Sequence, residues 1–139
     1  MKVEAIHIGP AKAGDLSTVD SVQAIAGKGL AGDRQFKEDG AKPGQALTLV
    51  EAGEVERVGL SDGETRRQLT VSGTGLNDLV GKHFKVGDVE CYGVELCEPC
   101  EHLESMTRPG IIKDLVHRAG LNADILTDGT IAVGDELAF

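Results

Sequence analysis

The sequence predicts a mainly β protein, a strand-rich barrel or sandwich carrying a few short helices. Nineteen glycines cut the 139 residues so that most apolar stretches run five to eight residues, strand length rather than helix length. Helical periodicity is confined to a few short stretches, too few to alternate with the strands as a doubly wound α/β sheet requires. The apolar positions are Val, Ile, Leu and Ala, and the only aromatic residues are Phe36, Phe84, Tyr92 and Phe139, so the expected core is aliphatic. No linker, repeat or low-complexity segment divides the chain, and residues 1–139 read as one domain.

Val3 to Ile8 has a period-two component and stops at Gly9-Pro10, a first strand. Val19 to Ala26 is a second, followed by the glycine-rich run Gly27-Lys28-Gly29-Leu30-Ala31-Gly32-Asp33-Arg34. Asp39 to Gly44 form a polar turn, and Ala46 to Val50 reads as a buried strand. Glu51 to Val58 carries acids in its first turn and Arg57 near its end, the polarity a helix dipole favours, with Gly59 as its stop. Leu69 to Val71 is a strand, and Leu76 to Val80 is one helical turn stopped by Gly81. Phe84 to Val86 and Val89 to Leu96 flank Gly87-Asp88 and form a hairpin. Ile111 to Ala119 has the best helical pattern: Ile111, Ile112, Leu115 and Ala119 share one face, and Gly120 is placed to cap it. Ile125, Thr130 to Val133 and Glu136 to Phe139 supply the last strands around Gly134-Asp135.

Fourteen Lys and Arg against twenty-three Asp and Glu leave a net charge of −9. So acidic a surface repels phosphate backbones and anionic bilayers, so neither nucleic acid nor membrane is an expected partner. A small anion differs, because a few convergent cations make a local positive site. No apolar run approaches the roughly 18–20 residues of a membrane helix. Lys2 and Glu4 bring charge too early for a signal peptide, and a cytoplasmic protein is expected. The odd count of cysteines, Cys91, Cys97 and Cys100, favours reduced thiols over a disulfide framework.

Cys97-Glu98-Pro99-Cys100-Glu101-His102 spaces two thiols so that both sulfurs can face one point. Three readings stay open. Zinc would take Cys97, Cys100 and His102, with a distant fourth ligand from His7, His83, His117 or Cys91. A redox pair is the second, and the flanking acids count against it because they raise a thiol's pKa. In the third, both cysteines are small buried hydrophobes about a proline turn. Elsewhere, the glycines around Asp33-Arg34 let backbone N–H groups approach an anion, and Arg34 can fork onto a phosphate or oxo group. An ordinary glycine-rich turn is the plainer alternative. Arg66-Arg67-Gln68 precedes the strand at Leu69. Adjacent side chains on an extended segment point to opposite faces, so one arginine can turn inward and the other outward; two solvated surface arginines are the plainer alternative. An inward arginine needs an anionic partner.

In chain order these segments resemble the MOSC domain, named for the C-terminal domain of molybdenum cofactor sulfurase. The resemblance runs from Gly29 to Arg34, through Leu47 to Glu51, Arg66 to Gly73, Leu76 to Gly81 and Phe84 to Asp88, to Glu98 to Leu103 and Gly129 to Asp135. It implies a β-barrel fold and a functional cysteine after a proline, here Cys100, which would ligate molybdenum or carry sulfur. Gly32, Asp33, Arg34, Arg66 and Arg67 match the family's cofactor-binding positions, and the arginines would hold the phosphate of the pterin. Gln68 departs from the asparagine usual after that pair. The implied cofactor is the molybdenum cofactor, molybdopterin. Pyridoxal phosphate is not expected in this chain, which shows no desulfurase domain. The implied work is reduction of N-hydroxylated small molecules or sulfur delivery. A partner would supply what the chain does not: an electron donor for the first, a cysteine desulfurase for the second. A non-catalytic cofactor or metal carrier, or a zinc-stabilised binding module, is the alternative.

Overall fold

Short aliphatic strands separated by glycine turns bury their apolar faces by packing sheet against sheet or by curling into a barrel. The computed structural model describes residues 1–9, 16–60, 64–73, 75–97 and 101–139, the side chains at 101, 102 and 106 excepted. The strands are β1 (Lys2–Ile8), β2 (Ser17–Val19), β3 (Ser21–Ile25), β4 (Gly29–Leu30), β5 (Leu47–Glu51), β6 (Leu69–Ser72), β7 (His83–Val86), β8 (Val89–Leu96), β9 (Leu121–Ile125), β10 (Gly129–Ala132) and β11 (Leu137–Ala138). Helices α1 (Ala52–Arg57), α2 (Glu101–Met106) and α3 (Ile111–Leu115) and a 3-10 turn at Leu76–Leu79 complete the described elements.

Eight strands form one sheet in the order β11-β7-β8-β9-β5-β6-β1-β2, and β10-β3-β4 form a second. All pairs are antiparallel except β5–β6, which α1 joins in parallel. The large sheet curls back on itself. Val3 N–H donates to the Asp135 carbonyl at 2.8 Å, Gly134 N–H to Val3 at 2.8 Å and Leu137 N–H to Met1 at 2.9 Å, bringing the β11 end onto β1. The fold is therefore mainly β and barrel-like, as the sequence predicts. Its core is aliphatic: Ile6, Leu49, Leu69, Leu121, Ile125 and Ile131 are fully enclosed, and Phe84 is the only aromatic among its buried members. Each fully buried side chain of this size contributes about 1.5–3 kcal/mol. A second cluster, Val58, Leu103, Ile111, Leu115 and Ala119, fastens α2 and α3 beside the end of α1. No helix among the described residues is long and apolar enough to cross a membrane.

Four elements differ from the sequence reading. Val19 to Ala26 is not one strand: the chain bends at Asp20, whose carbonyl accepts Val133 N–H at 2.9 Å, and passes from the large sheet to the small one. β9 sits at the centre of the large sheet, yet only Ile125 is legible in it. Leu121, Ala123 and Ile125 alternate inward with Asn122 and Asp124, two residue types depleted in strands. α2 has no sequence signal strong enough to read. α3 stops at Leu115 rather than Ala119. Val116 turns extended with ψ 128, and His117 takes φ 61. The carbonyls freed there serve other elements: His117 accepts from Asn77 Nδ2 at 2.7 Å, Ala119 from Arg67 Nε at 2.9 Å and Gly120 from Cys97 N–H at 2.8 Å.

Gly120 is consequently not a helix cap. It has φ +126, and a Cβ there would overlap the Leu49 carbonyl oxygen. Gly120→Ala is expected to destabilise the fold by about 2–5 kcal/mol from steric overlap and backbone strain. Gly53→Ala, at an open position in α1, should leave stability unchanged or raise it by about 0.5 kcal/mol. Urea denaturation of the two variants checks both.

Glu51, at the end of β5, accepts Leu76 N–H at 3.2 Å. Burial raises its pKa above the ordinary 4.5, opposed by the Leu76 bond and reinforced by Glu54 and Asp78. A raised folded-state pKa favours the protonated carboxyl, so its stabilising contribution is present at low pH and lost as pH rises through that value. Glu51→Gln should therefore be more stable than the wild type at pH 7, with the advantage vanishing below the ordinary 4.5. Thermal melts across pH 3.5–7.5 test this.

Candidate functional site

A cavity of about 450 Å³ opens between the loop that follows β4, the start of β5, the approach to β6 and the end of β8. That volume lies in the range of small-molecule sites. Four cations line it: Arg34 and Lys37 from the loop, Arg66 and Arg67 from the approach to β6. No carboxylate is among its described lining residues, in a chain of net charge −9. Cys97, at the end of β8, and Leu103, on α2, stand on the same wall, with Asn122 of β9 and Thr48 of β5.

The adjacent arginines do not split between two faces. Both line the cavity, because Arg66 sits in the left-handed region with φ 60 and breaks the alternation of an extended chain. Such a conformation costs an ordinary residue about 1–2 kcal/mol, and residues held this way cluster at functional sites. Arg67 is fixed by two main-chain acceptors: Nε donates to Ala119 at 2.9 Å and Nη1 to Thr65 at 3.1 Å. Its Nη2 has no protein partner among the described residues. Arg34 is anchored through its backbone, with its N–H donating to the Gly9 carbonyl at 2.7 Å. Its half-buried guanidinium makes no hydrogen bond or ion pair with the described residues.

Asp33 does not line the cavity. It lies behind the wall, 6% exposed, among three donors. Oδ1 accepts Gly9 N–H at 2.9 Å, while Oδ2 accepts Gln35 N–H at 3.1 Å and Gln68 Nε2 at 2.7 Å. Gln68 in turn accepts Thr48 N–H on Oε1 at 2.9 Å, and its own N–H donates to Thr48 Oγ1 at 2.9 Å. Gly32 is exposed with φ +87 and stands outside the cavity wall. Cys100 lies outside the described residues, as does the side chain of His102.

Sequence reasoning brought Arg34, Arg66 and Arg67 to one place and weighed Cys97 below Cys100. It missed Lys37, Gln45, Thr48 and Asn122. Lys37 follows Arg34 by three residues in a glycine-bounded loop, which is a weak signal. Thr48 lies within the Leu47 to Glu51 segment of the resemblance but carries no signal of its own, and Gln45 and Asn122 are polar residues with no motif. Among the described residues no group of three or more His, Cys, Asp or Glu is placed to hold a metal ion. Cys91, considered as a distant zinc ligand, is buried in the core, where desolvation pushes its thiol up to about 12. A thiol so held stays protonated at neutral pH and is inert.

Solved structures share the fold. The YuaD protein of Bacillus subtilis superposes with a TM-score of 0.81 at 16% identity, over 99% of this chain and 96% of that one. YiiM of Geobacillus stearothermophilus superposes at 0.72 and 19% identity, covering 99% of this chain and 73% of its own, and YiiM of Escherichia coli at 0.65 and 15%, covering 99% and 69%. Comparison with curated protein sequences returns no significant match. The MOSC domain family profile matches residues 6–138, and the chain belongs to the MOSC domain family.

Proposed function

We propose that this protein binds the molybdenum cofactor in the cavity lined by Arg34, Arg66 and Arg67, and that Cys100 serves it as molybdenum ligand or sulfur carrier. The observation that carries the proposal is four cations and no described carboxylate around one cavity of an acidic protein. The donor set fits the cofactor. Guanidiniums present forked N–H pairs to a phosphate, and a thiolate is a soft ligand suited to molybdenum or to a persulfide. The family is itself associated with molybdenum-cofactor sulfurase-like function.

Arg67 is held by main-chain acceptors with Nη2 left over, so it is pre-oriented to receive an anionic oxygen with little loss of side-chain freedom. The Arg34 guanidinium, with no partner among the described residues, completes the clamp. Gly32 and Asp33 shape the loop that carries it. Leu103 makes one side of the cavity apolar, which strengthens the electrostatic contacts beside it. When bound, the cofactor supplies a metal centre that changes oxidation state, which no side chain of the chain offers. The proposed work is reduction of an N-hydroxylated small molecule or delivery of sulfur, in the cytoplasm. An electron-donor or cysteine-desulfurase partner supplies the other half of either reaction.

Protein purified from a molybdenum-replete host should carry molybdenum and a fluorescent pterin in near-equal amounts. Cys100→Ser should keep the pterin yet lose bound molybdenum, or lose the capacity to accept a persulfide. A mutant equal to wild type in both respects would overturn the role given to Cys100. Arg34→Ala should weaken pterin retention by about tenfold, the scale of one charge-assisted contact. Stoichiometric zinc in place of molybdenum would instead support the zinc-stabilised alternative.

A further inference from the structure

The cavity cations come from two distant segments, residues 34–37 and 66–67. A connection between them runs behind the wall. Asp33 precedes Arg34 in the chain, and Gln68 follows Arg67. Their side chains meet at 2.7 Å, Gln68 Nε2 donating to Asp33 Oδ2. The other Asp33 oxygen takes Gly9 N–H, whose own carbonyl accepts Arg34 N–H at 2.7 Å. The other end of the Gln68 amide takes Thr48 N–H, so the third wall segment joins the same frame. All three side chains are nearly inaccessible, at 6%, 3% and 7% for Asp33, Gln68 and Thr48.

We infer that Asp33 is a positioning residue of the anion site. Its carboxylate, acting through the Gln68 amide, sets the spacing between Arg34 and the Arg66–Arg67 pair without touching the ligand. The inference rests on the reading of this cavity as an anion site and deepens it. A carboxylate suits the task because three donors converge on it, and charged acceptors make the shorter, stronger hydrogen bonds. An amide in its place offers one acceptor atom and turns an NH₂ toward at least one of those donors. The Gln68 side chain is long enough to span Thr48 and Asp33 together.

Electrostatics and positioning predict opposite signs. Neutralising Asp33 removes a negative charge from behind an anion site, which by Coulomb attraction alone would tighten anion binding. Loss of positioning would weaken it. The experiment is calorimetric titration of inorganic pyrophosphate into the wild type, Arg34→Ala, Arg67→Ala, Asp33→Asn and Gln68→Met, with a thermal melt to establish that each variant is folded. The expected result is that Asp33→Asn and Gln68→Met each weaken binding by about tenfold, as the arginine variants do. Gln68→Met changes no charge and closely preserves shape, so it carries the test should Asp33→Asn fail to fold. If the arginine variants lose affinity while folded Asp33→Asn or Gln68→Met binds as tightly as the wild type or more so, the positioning role is overturned and the anion site stands. If the wild type shows no arginine-dependent binding of pyrophosphate, there is no anion site to position and both fall.

Discussion

Cations that share a cavity wall with no carboxylate among its described residues repel one another, and the rest of the site is organised around holding them there. At short separations in a low-dielectric cleft this repulsion is far stronger than in water. At Arg67 the protein meets it with neutral acceptors. Arg67 leans on the carbonyls of Ala119 and Thr65, and Arg66 is brought to the same side by a left-handed backbone. The nearest compensating charge among the described network residues, Asp33, sits behind the wall with both oxygens engaged by backbone and amide donors. It lowers the repulsion without competing for the ligand. An anion entering the cavity would relieve what repulsion remains, so part of the work of binding is done during folding.

Those demands explain local irregularities that regular secondary structure would forbid. Continuing α3 to Ala119 would have kept the carbonyls of residues 117, 119 and 120 within or at the end of a helix. Ending it at Leu115 exposes them to Asn77, Arg67 and Cys97 instead. Two of those donors belong to residues of the cavity wall. One non-helical turn thus ties the approach to β6 to the end of β8, and Gly120 is needed where that turn presses on Leu49. The small aliphatic cluster of Leu103, Ile111 and Leu115 holds α2 and α3 against this turn, so packing and polar positioning reinforce each other.

How much of this was legible in the sequence follows from the kind of signal each part carries. The barrel-like, mainly β class was readable because glycine spacing and aliphatic runs are local properties. The β7–β8 hairpin was readable from Gly87-Asp88 for the same reason, and Val86 and Val89 pair across it. β9 was not, because its inward residues alternate with Asn and Asp, whose propensities argue against a strand that the sheet nonetheless fills. The end of α3 was invisible because the competing partners of its carbonyls lie far away in the chain. At the site, Arg34, Arg66 and Arg67 were identifiable as a set, whereas the shared orientation of the adjacent pair depends on one backbone angle. The roles of Asp33 and Gln68 were obscured by their neighbours: both stand beside arginines, and only the hydrogen-bond geometry separates residues that line the cavity from residues behind it.

The contrast between an acidic surface and a basic cavity also bears on what can enter. Surface charges act over about 8 Å at physiological ionic strength. An extended polyanion would meet many carboxylates at once and only a few of the cavity cations. A small anion that reaches the mouth lies within a Debye length of the cations and feels them most strongly. Selection for compact anions follows from size and screening together, before any specific contact forms. Surface repulsion at longer range slows unassisted encounter. A ligand released close to the mouth avoids that penalty, because within a Debye length the cavity cations dominate.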